Sequence, residues 1–359
     1  MIRSFLFLLL FISSTIRVSA HEGMWIPALL NSLNADDMSA SGLRLSAEDI
    51  YSVNNSSLKD AIVHFGGGCT AEVISNKGLI LTNYHCGYGE IQSHSSITQD
   101  YLSQGFWAKN RSEELMNPGL TATFIVRIED VTHLMSSGIS EGMQANERNK
   151  VLYENSKRLE TEYSIEGQTA SVRAFFYGNE YYMIISQTYK DVRLVGAPPS
   201  SIGKFGGDTD NWVWPRHTGD FSLFRIYADA NNEPAEPNAD NVPYAPKKHL
   251  QINLSGGQEG DFTMVYGFPG RTEQYLTSDA VDQIVSVTNP LFIYMRETSL
   301  GIIDAAMASD DEIRIKYAAK QASISNAYKK WIGQNFGLKS YKAIDKKKEF
   351  EKNFKAWTM

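Results

Sequence analysis

Residues 66–87, GGGCTAEVISNKGLILTNYHCG, constrain this 359-residue chain more than any other stretch. An apolar run at 79–81 leads into His85; Cys86 follows it, and Cys69, the only other cysteine, lies seventeen residues before Cys86. Residues 72–83 read as two short strands joined at Asn76-Lys77-Gly78, since Asn and Gly accept the positive φ of a tight hairpin. His85 then sits on the exit from the second strand. A Cys69–Cys86 bridge would tie the start of the hairpin to that exit and limit where the imidazole points. Closing a loop of roughly 15 residues in this way is worth about 3 kcal/mol.

Such a bridge needs an oxidising compartment, and the N-terminus points to one. Residues 1–20 carry Arg3, an apolar core at 5–12 and the small-residue end Val18-Ser19-Ala20, the pattern of a signal peptide. That core is far shorter than the roughly 20 apolar residues of a membrane span, and no later segment reaches this length. The expected product is an exported, soluble chain starting near His21, in the periplasm, at the cell surface or in the medium, with its cysteines paired. With 34 basic against 41 acidic residues, the net charge of −7 gives no sign of a nucleic-acid groove. C-x-x-C pairs and H-E-x-x-H are absent, so no metal site is expected.

From 62 to 268 the chain alternates short apolar runs with Gly, Pro and Asn turns. Strands are expected at 79–81, 121–126, 171–177, 181–188, 192–195, 221–227 and 263–266, in the manner of a β-barrel. One helix interrupts them at 144–163, with Val151, Leu152 and Leu159 at helical spacing. Residues 229–246, with four prolines and four asparagines, read as a surface excursion. After Arg271 the character changes, and 279–287, 289–306, 310–331 and 340–357 all read as helices. The expected domains are therefore 21–270, a β-barrel portion, and 271–359, an incomplete α-helical unit.

A histidine on a barrel loop followed later by an aspartate is how a chymotrypsin-like fold presents its base and the acid that orients it, in chain order His, Asp, Ser. Asp220 stands just before the strand at 221–227, within GGDTDNWVWPRHTGDFSLFRI (206–226). Ser255 follows in the right order, but it lacks a preceding Gly-Asp, and the spacing from Asp220 leaves no room for a second barrel. It reads as part of a Gly-rich turn. The nucleophilic serine is thus expected to lie outside this chain, which alone would be inactive.

The blocks EGMW (22–25), GGGCT (66–70), LTNYHCGY (81–88), FGGDTDNWVWPRHTGDFS (205–222), EGDFTMVYGFPGRT (259–272) and Asn326-x-x-Lys329 carry a family resemblance. They resemble bacterial dipeptidyl peptidases of the peptidase S46 family, the group containing dipeptidyl peptidases 7 and 11, over essentially the whole mature chain. The resemblance implies a β plus α architecture: a chymotrypsin-like double β-barrel, here mainly its first barrel, with an inserted α-helical cap. The implied activity is release of dipeptides from the free N-terminus of peptides by serine acyl transfer, with no cofactor. It places the triad histidine on His85 and the triad aspartate on Asp220, and substrate N-terminus binding on Asn211, Trp212 and Asn326. Amide carbonyls accept from an ammonium, and an indole face adds cation–π attraction. Family members are longer, so this chain resembles their N-terminal part, and a homodimer is implied for the complete protein.

Taken singly, Trp212 and Trp214 read as core aromatics and Asn326 as an exposed helix residue. Arg216 and His217 read as structural neighbours of Asp220; His64, His94, His133 and His249 have no ligand-like spacing. The Lys-rich segment 339–355 reads as a solvated helix face. Two other classes compete: a secreted, non-catalytic peptide-binding protein on a degenerate peptidase fold, and a trypsin-like endopeptidase, which the implied amine-binding set and helical cap disfavour.

Overall fold

The computed structural model describes residues 24–270, 273 and 275–359. The expected leader at 1–20 lies outside them. Eleven strands form one sheet. They are β1 (Ile62–Phe65), β2 (Cys69–Val73), β3 (Leu79–Thr82), β4 (Phe106–Trp107), β5 (Leu115–Met116), β6 (Ala122–Asp130), β7 (Thr169–Phe175), β8 (Glu180–Tyr189), β9 (Asp191–Ala197), β10 (Ser222–Ala228) and β11 (Val242–Pro243). The order is β4-β9-β10-β3-β2-β1-β6-β8-β7, with β5 on β9 and β11 on β10. Every pairing is antiparallel.

The β2–β3 hairpin forms where the turn residues predict it. Gly78 has φ 65°, and a Cβ there would sit 2.8 Å from the Ile226 carbonyl oxygen, so this turn is built for glycine. The Ser75 hydroxyl accepts from the Lys77 and Leu79 N–H groups at 3.2 and 3.1 Å, closing the turn from inside.

The sheet is strongly curved, because strands far apart in its order share one core. Val63, Phe65, Val73, Ile80, Phe124, Tyr189, Leu194 and Phe224 all belong to one buried cluster. In a flat sheet β9 and β8 would stand about 29 Å apart, six spacings of about 4.8 Å. Instead Tyr189 and Phe224 help fill the same interior, and Lys190 alone separates β8 from β9 along the chain. A second cluster packs helix Ala145–Tyr163, through Leu159, against Met183 and Ile185 of β8. A third joins Leu30, Met38 and Ile50 to Phe262 and Tyr266.

Residues 263–266 are not a strand. Phe268 donates its N–H to the Thr70 hydroxyl at 2.8 Å instead of to a ladder carbonyl, and a Cβ on Gly267 would meet Thr70 at 2.5 Å. The two residues after the run, 267 and 268, therefore lie against β2 without pairing with it.

Beyond residue 275 the chain is helical: Ser278–Gln283, a π turn over Ile284–Thr288, Asn289–Ser309, Asp311–Ser340 and Ala343–Thr358. The Asp310 carboxylate caps the third helix, accepting from Glu312 and Ile313 N–H at 2.7 and 3.0 Å. That helix runs nine residues past the expected end at 331, since Gly333 and Gly337 remain helical. Its Ala318 enters the main core and Ala319 and Ala322 pack on it, which carries the helix across the end of the sheet. The last helix departs from the expected charged face by also exposing Phe350, Phe354 and Trp357. No helix among the described residues is long and apolar enough to cross a membrane.

Candidate active site

The register of β3 and β10 builds the centre of the site. Thr82 pairs with Ser222, so the residues leaving β3 lie opposite those entering β10. Asn83 and His85 thereby meet Asp220. His85 Nδ1 lies 2.8 Å from Asp220 Oδ2, and the His85 backbone N–H donates to Oδ1 at 3.1 Å. The Asn83 amide donates to the same carboxylate and to the Asp220 carbonyl, both at 3.3 Å. Arg216 stands 3.6 Å from Oδ2. The carboxylate is 13% exposed whereas the imidazole is 63% exposed, so the acid is shielded and the base faces outward.

Burial opposes ionisation of Asp220, but the His85 hydrogen bond and charge, the His85 N–H and Arg216 together outweigh it and hold the carboxyl below its ordinary value. A carboxylate of this kind fixes the ring, favours the tautomer protonated at Nδ1, and leaves Nε2 to take a proton.

Three local devices keep the loop in place. Cys69 and Cys86 are bonded, with Cα atoms 6.1 Å apart, tying the residue after His85 to the start of β2. The Ser222 hydroxyl donates to the Asn83 carbonyl at 2.8 Å. Gly87 lets the chain pass over β10, since a Cβ there would meet the Phe224 ring at 2.8 Å and the Ser222 hydroxyl at 2.9 Å. Cys69, His85 and Cys86 also bring potential metal-ligating atoms within 4.8 Å of one another. Their sulfurs are spent on each other and supply no thiolate.

The second cluster joins residues 115 positions apart in sequence. The Asn211 amide donates to Asn326 Oδ1 at 3.0 Å, and the Trp212 indole N–H donates to the same oxygen at 2.9 Å and to the Asn326 carbonyl at 3.2 Å. The structure thus brings together all three residues expected at a substrate N-terminus. Asn326 Oδ1 already receives two donors, so the set holds itself in place before any ligand arrives. Trp212 has φ 61°, a backbone conformation that costs a bulky residue of order 1–3 kcal/mol, and its ring is 57% exposed. Trp214 is 88% exposed. The reading of these two rings as core aromatics is therefore wrong: neither is buried.

Sequence reasoning passed over Asn83, although it lies in the same block as His85. His217 reaches Asp210 through its backbone N–H at 3.5 Å and not Asp220. Ser255 sits in a turn where its own N–H donates to the Asn253 side chain at 3.0 Å, beside Leu254, which is 94% exposed.

The described residues thus hold an imidazole oriented by a carboxylate and, separately, a hydrogen-bonded set of two amides and an indole. The chain belongs to the peptidase S46 family, whose model matches residues 20–359. It is 54% identical over 350 residues to an Asp/Glu-specific dipeptidyl-peptidase of Flavobacterium psychrophilum, covering 97% of this chain and 49% of the relative. It is 50% identical over 346 residues to a dipeptidyl-peptidase 7 of Phocaeicola vulgatus, covering 94% of this chain and 48% of the relative. Among solved structures, Porphyromonas endodontalis DPP11 in complex with the dipeptide Arg-Glu superposes with a TM-score of 0.85 at 42% identity, covering 94% of this chain and 49% of that one. The chain thus spans about half the length of the curated relatives it matches.

Proposed function

We propose that this chain carries the base, the acid and the amine-binding residues of an exported, serine-type dipeptidyl aminopeptidase acting on peptides with a free N-terminus. The curved sheet is read as the first barrel of a chymotrypsin-like pair, within a unit spanning 21–270, and residues 271–359 as part of a helical cap. The carrying observation is that His85 Nδ1 and Asp220 Oδ2 lie 2.8 Å apart while Asn211, Trp212 and Asn326 form a separate hydrogen-bonded cluster. One set performs chemistry and the other measures from the chain end.

In this reading His85 Nε2 takes the proton from an attacking serine hydroxyl and returns it to the leaving amine. Asp220 stabilises the imidazolium through Nδ1–H. Attack on the second peptide bond releases the shortened peptide, and water then hydrolyses the dipeptidyl ester. The Trp212 indole and the amides of Asn211 and Asn326 hold the substrate ammonium. Ser255 has no part in this, and the attacking hydroxyl is assigned to no described residue. Relatives named as Asp/Glu-specific and as dipeptidyl-peptidase 7 match at similar identity, so the reading commits to dipeptide release and to no preferred side chain.

The test uses chromogenic dipeptidyl substrates. Protein of this chain alone is expected to release no chromophore, whereas the product of the whole reading frame containing it cleaves free but not N-acetylated substrates. His85→Ala is expected to remove that activity. Equal cleavage of acetylated peptides, or turnover by this chain that Ser255→Ala abolishes, would overturn the reading.

A further inference from the structure

Helix Tyr88–Ser93 begins three residues after His85, and its Gln92 reaches out of the sheet domain into the backbone of helix Asp311–Ser340. Gln92 Oε1 accepts from the Ala319 N–H at 2.7 Å, and Gln92 Nε2 donates to the Lys316 carbonyl at 2.9 Å. Both partners lie within the helix, where an undisturbed ladder uses such groups on itself: the N–H of 319 bonds to the carbonyl of 315, and the carbonyl of 316 receives from 320. A side-chain amide is suited to this contact because it offers one acceptor and two donors in a plane, and a single orientation satisfies both bonds. Nearby, Arg314 donates to Asp100 at 2.6 Å, a second tie between this helix and the segment following His85.

The contact lies on the face that matters. Ala319, Ala322 and Asn326 share one stripe of the helix, at i, i+3 and i+7. Asn326 is seven residues past Ala319, about 10 Å along the axis. With the Arg314–Asp100 pair and the packing of Ala318, the Gln92 amide therefore helps fix the rotation of the helix and its axial register, from an element that starts three residues beyond the imidazole.

We propose that Gln92 is a positioning residue that sets the distance between Asn326 and His85, and thereby where along a peptide the chain is cut. This rests on the reading of Asn326 as an amine-binding residue. With the amide removed, the helix loses one register pin while His85 and Asp220 keep their contact. Ground-state and transition-state binding of the ammonium then weaken together, which appears in KM and not in kcat.

The test is steady-state kinetics on the product of the whole reading frame with Gln92→Ala, Gln92→Met, Asn326→Ala and the Gln92→Ala/Asn326→Ala pair. Gln92→Met fills the same space without either hydrogen bond and serves if the alanine variant does not fold. The expected result is a KM for dipeptidyl substrates raised about tenfold with kcat within about twofold, and, from an unblocked peptide of several residues, more tripeptide among the products. The paired variant should fall short of the product of the single effects, as coupled residues do. An unchanged KM and product length with Gln92→Met, where Asn326→Ala alone raises KM, overturns the inference. So does a loss of kcat and thermal midpoint with KM unchanged, which marks a purely structural contact. Absence of any effect from Asn326→Ala sinks instead the amine-binding reading beneath it.

Discussion

Asp220 concentrates the electrostatics of the site in one carboxylate, which receives the imidazole, a backbone N–H and an asparagine amide, with a guanidinium nearby. Folding therefore favours its ionised form. A group whose pKa is lowered on folding stabilises the protein above its unfolded value, near 3.9, and that contribution disappears as pH falls through the folded value. Urea midpoints measured from pH 6 downward are expected to fall below about pH 4, and Asp220→Asn should flatten that fall. In any product containing this chain that shows the proposed activity, the same substitution should lower kcat by about 10⁴-fold, since an amide can hold the ring in the wrong tautomer. Retained activity would remove Asp220 from its assigned role. His85 and Asp220 were legible in the sequence because each borders an apolar strand. Gln92 was not, because a lone glutamine in a polar helix gives no sign that its partner lies 227 residues on.

At the scale of elements, the site depends on β3 and β10 keeping register and on a hairpin stapled to the loop behind it. Cys69→Ser with Cys86→Ser is expected to cost about 3 kcal/mol of unfolding free energy, read by urea titration, as befits a loop of this size. Gly87→Ala is expected to cost about 1–3 kcal/mol in the same measurement, because the methyl group meets the ring of Phe224, which is fully buried in the main core. The hairpin could be read ahead of the structure from Asn76-Lys77-Gly78, where local turn chemistry decides the conformation. The two-residue strands β4 and β5 could not: Phe106, Trp107, Leu115 and Met116 become strands only because β9 offers them an edge. Residues 263–266 illustrate the converse, a strand-like run that joins no ladder, although Phe268 just after it bonds to the Thr70 hydroxyl of β2.

Across the whole molecule, two of the three cores divide the labour. The main cluster contains Tyr84 and packs Cys86, the neighbours of His85, and receives helix Asp311–Ser340 through Ala318, whereas the cluster under helix Ala145–Tyr163 includes neither set of site residues. Leu159→Ala, at a position only 1% exposed, is expected to lower stability by about 2–5 kcal/mol while kcat/KM at 25 °C, in any product containing this chain that shows the proposed activity, stays unchanged. A matching fall in kcat/KM would show that the outlying cluster is coupled to the chemistry. The division into a strand-rich first part and a helical second part was visible in composition alone. A curved sheet was expected from the short strands and turns, but its strand order was not, since neighbours such as β3 and β10 lie far apart in sequence.

The left-handed backbone at Trp212 sets two requirements against each other at one position. Glycine, asparagine and aspartate enter that conformation most readily, yet none carries an indole that can reach across to Asn326. A lineage that relaxed the backbone here would surrender the ring, and one that kept a ring must go on tolerating the strain. Variation at this codon is therefore confined to a narrow corridor, and laboratory evolution of this chain should change its neighbours first.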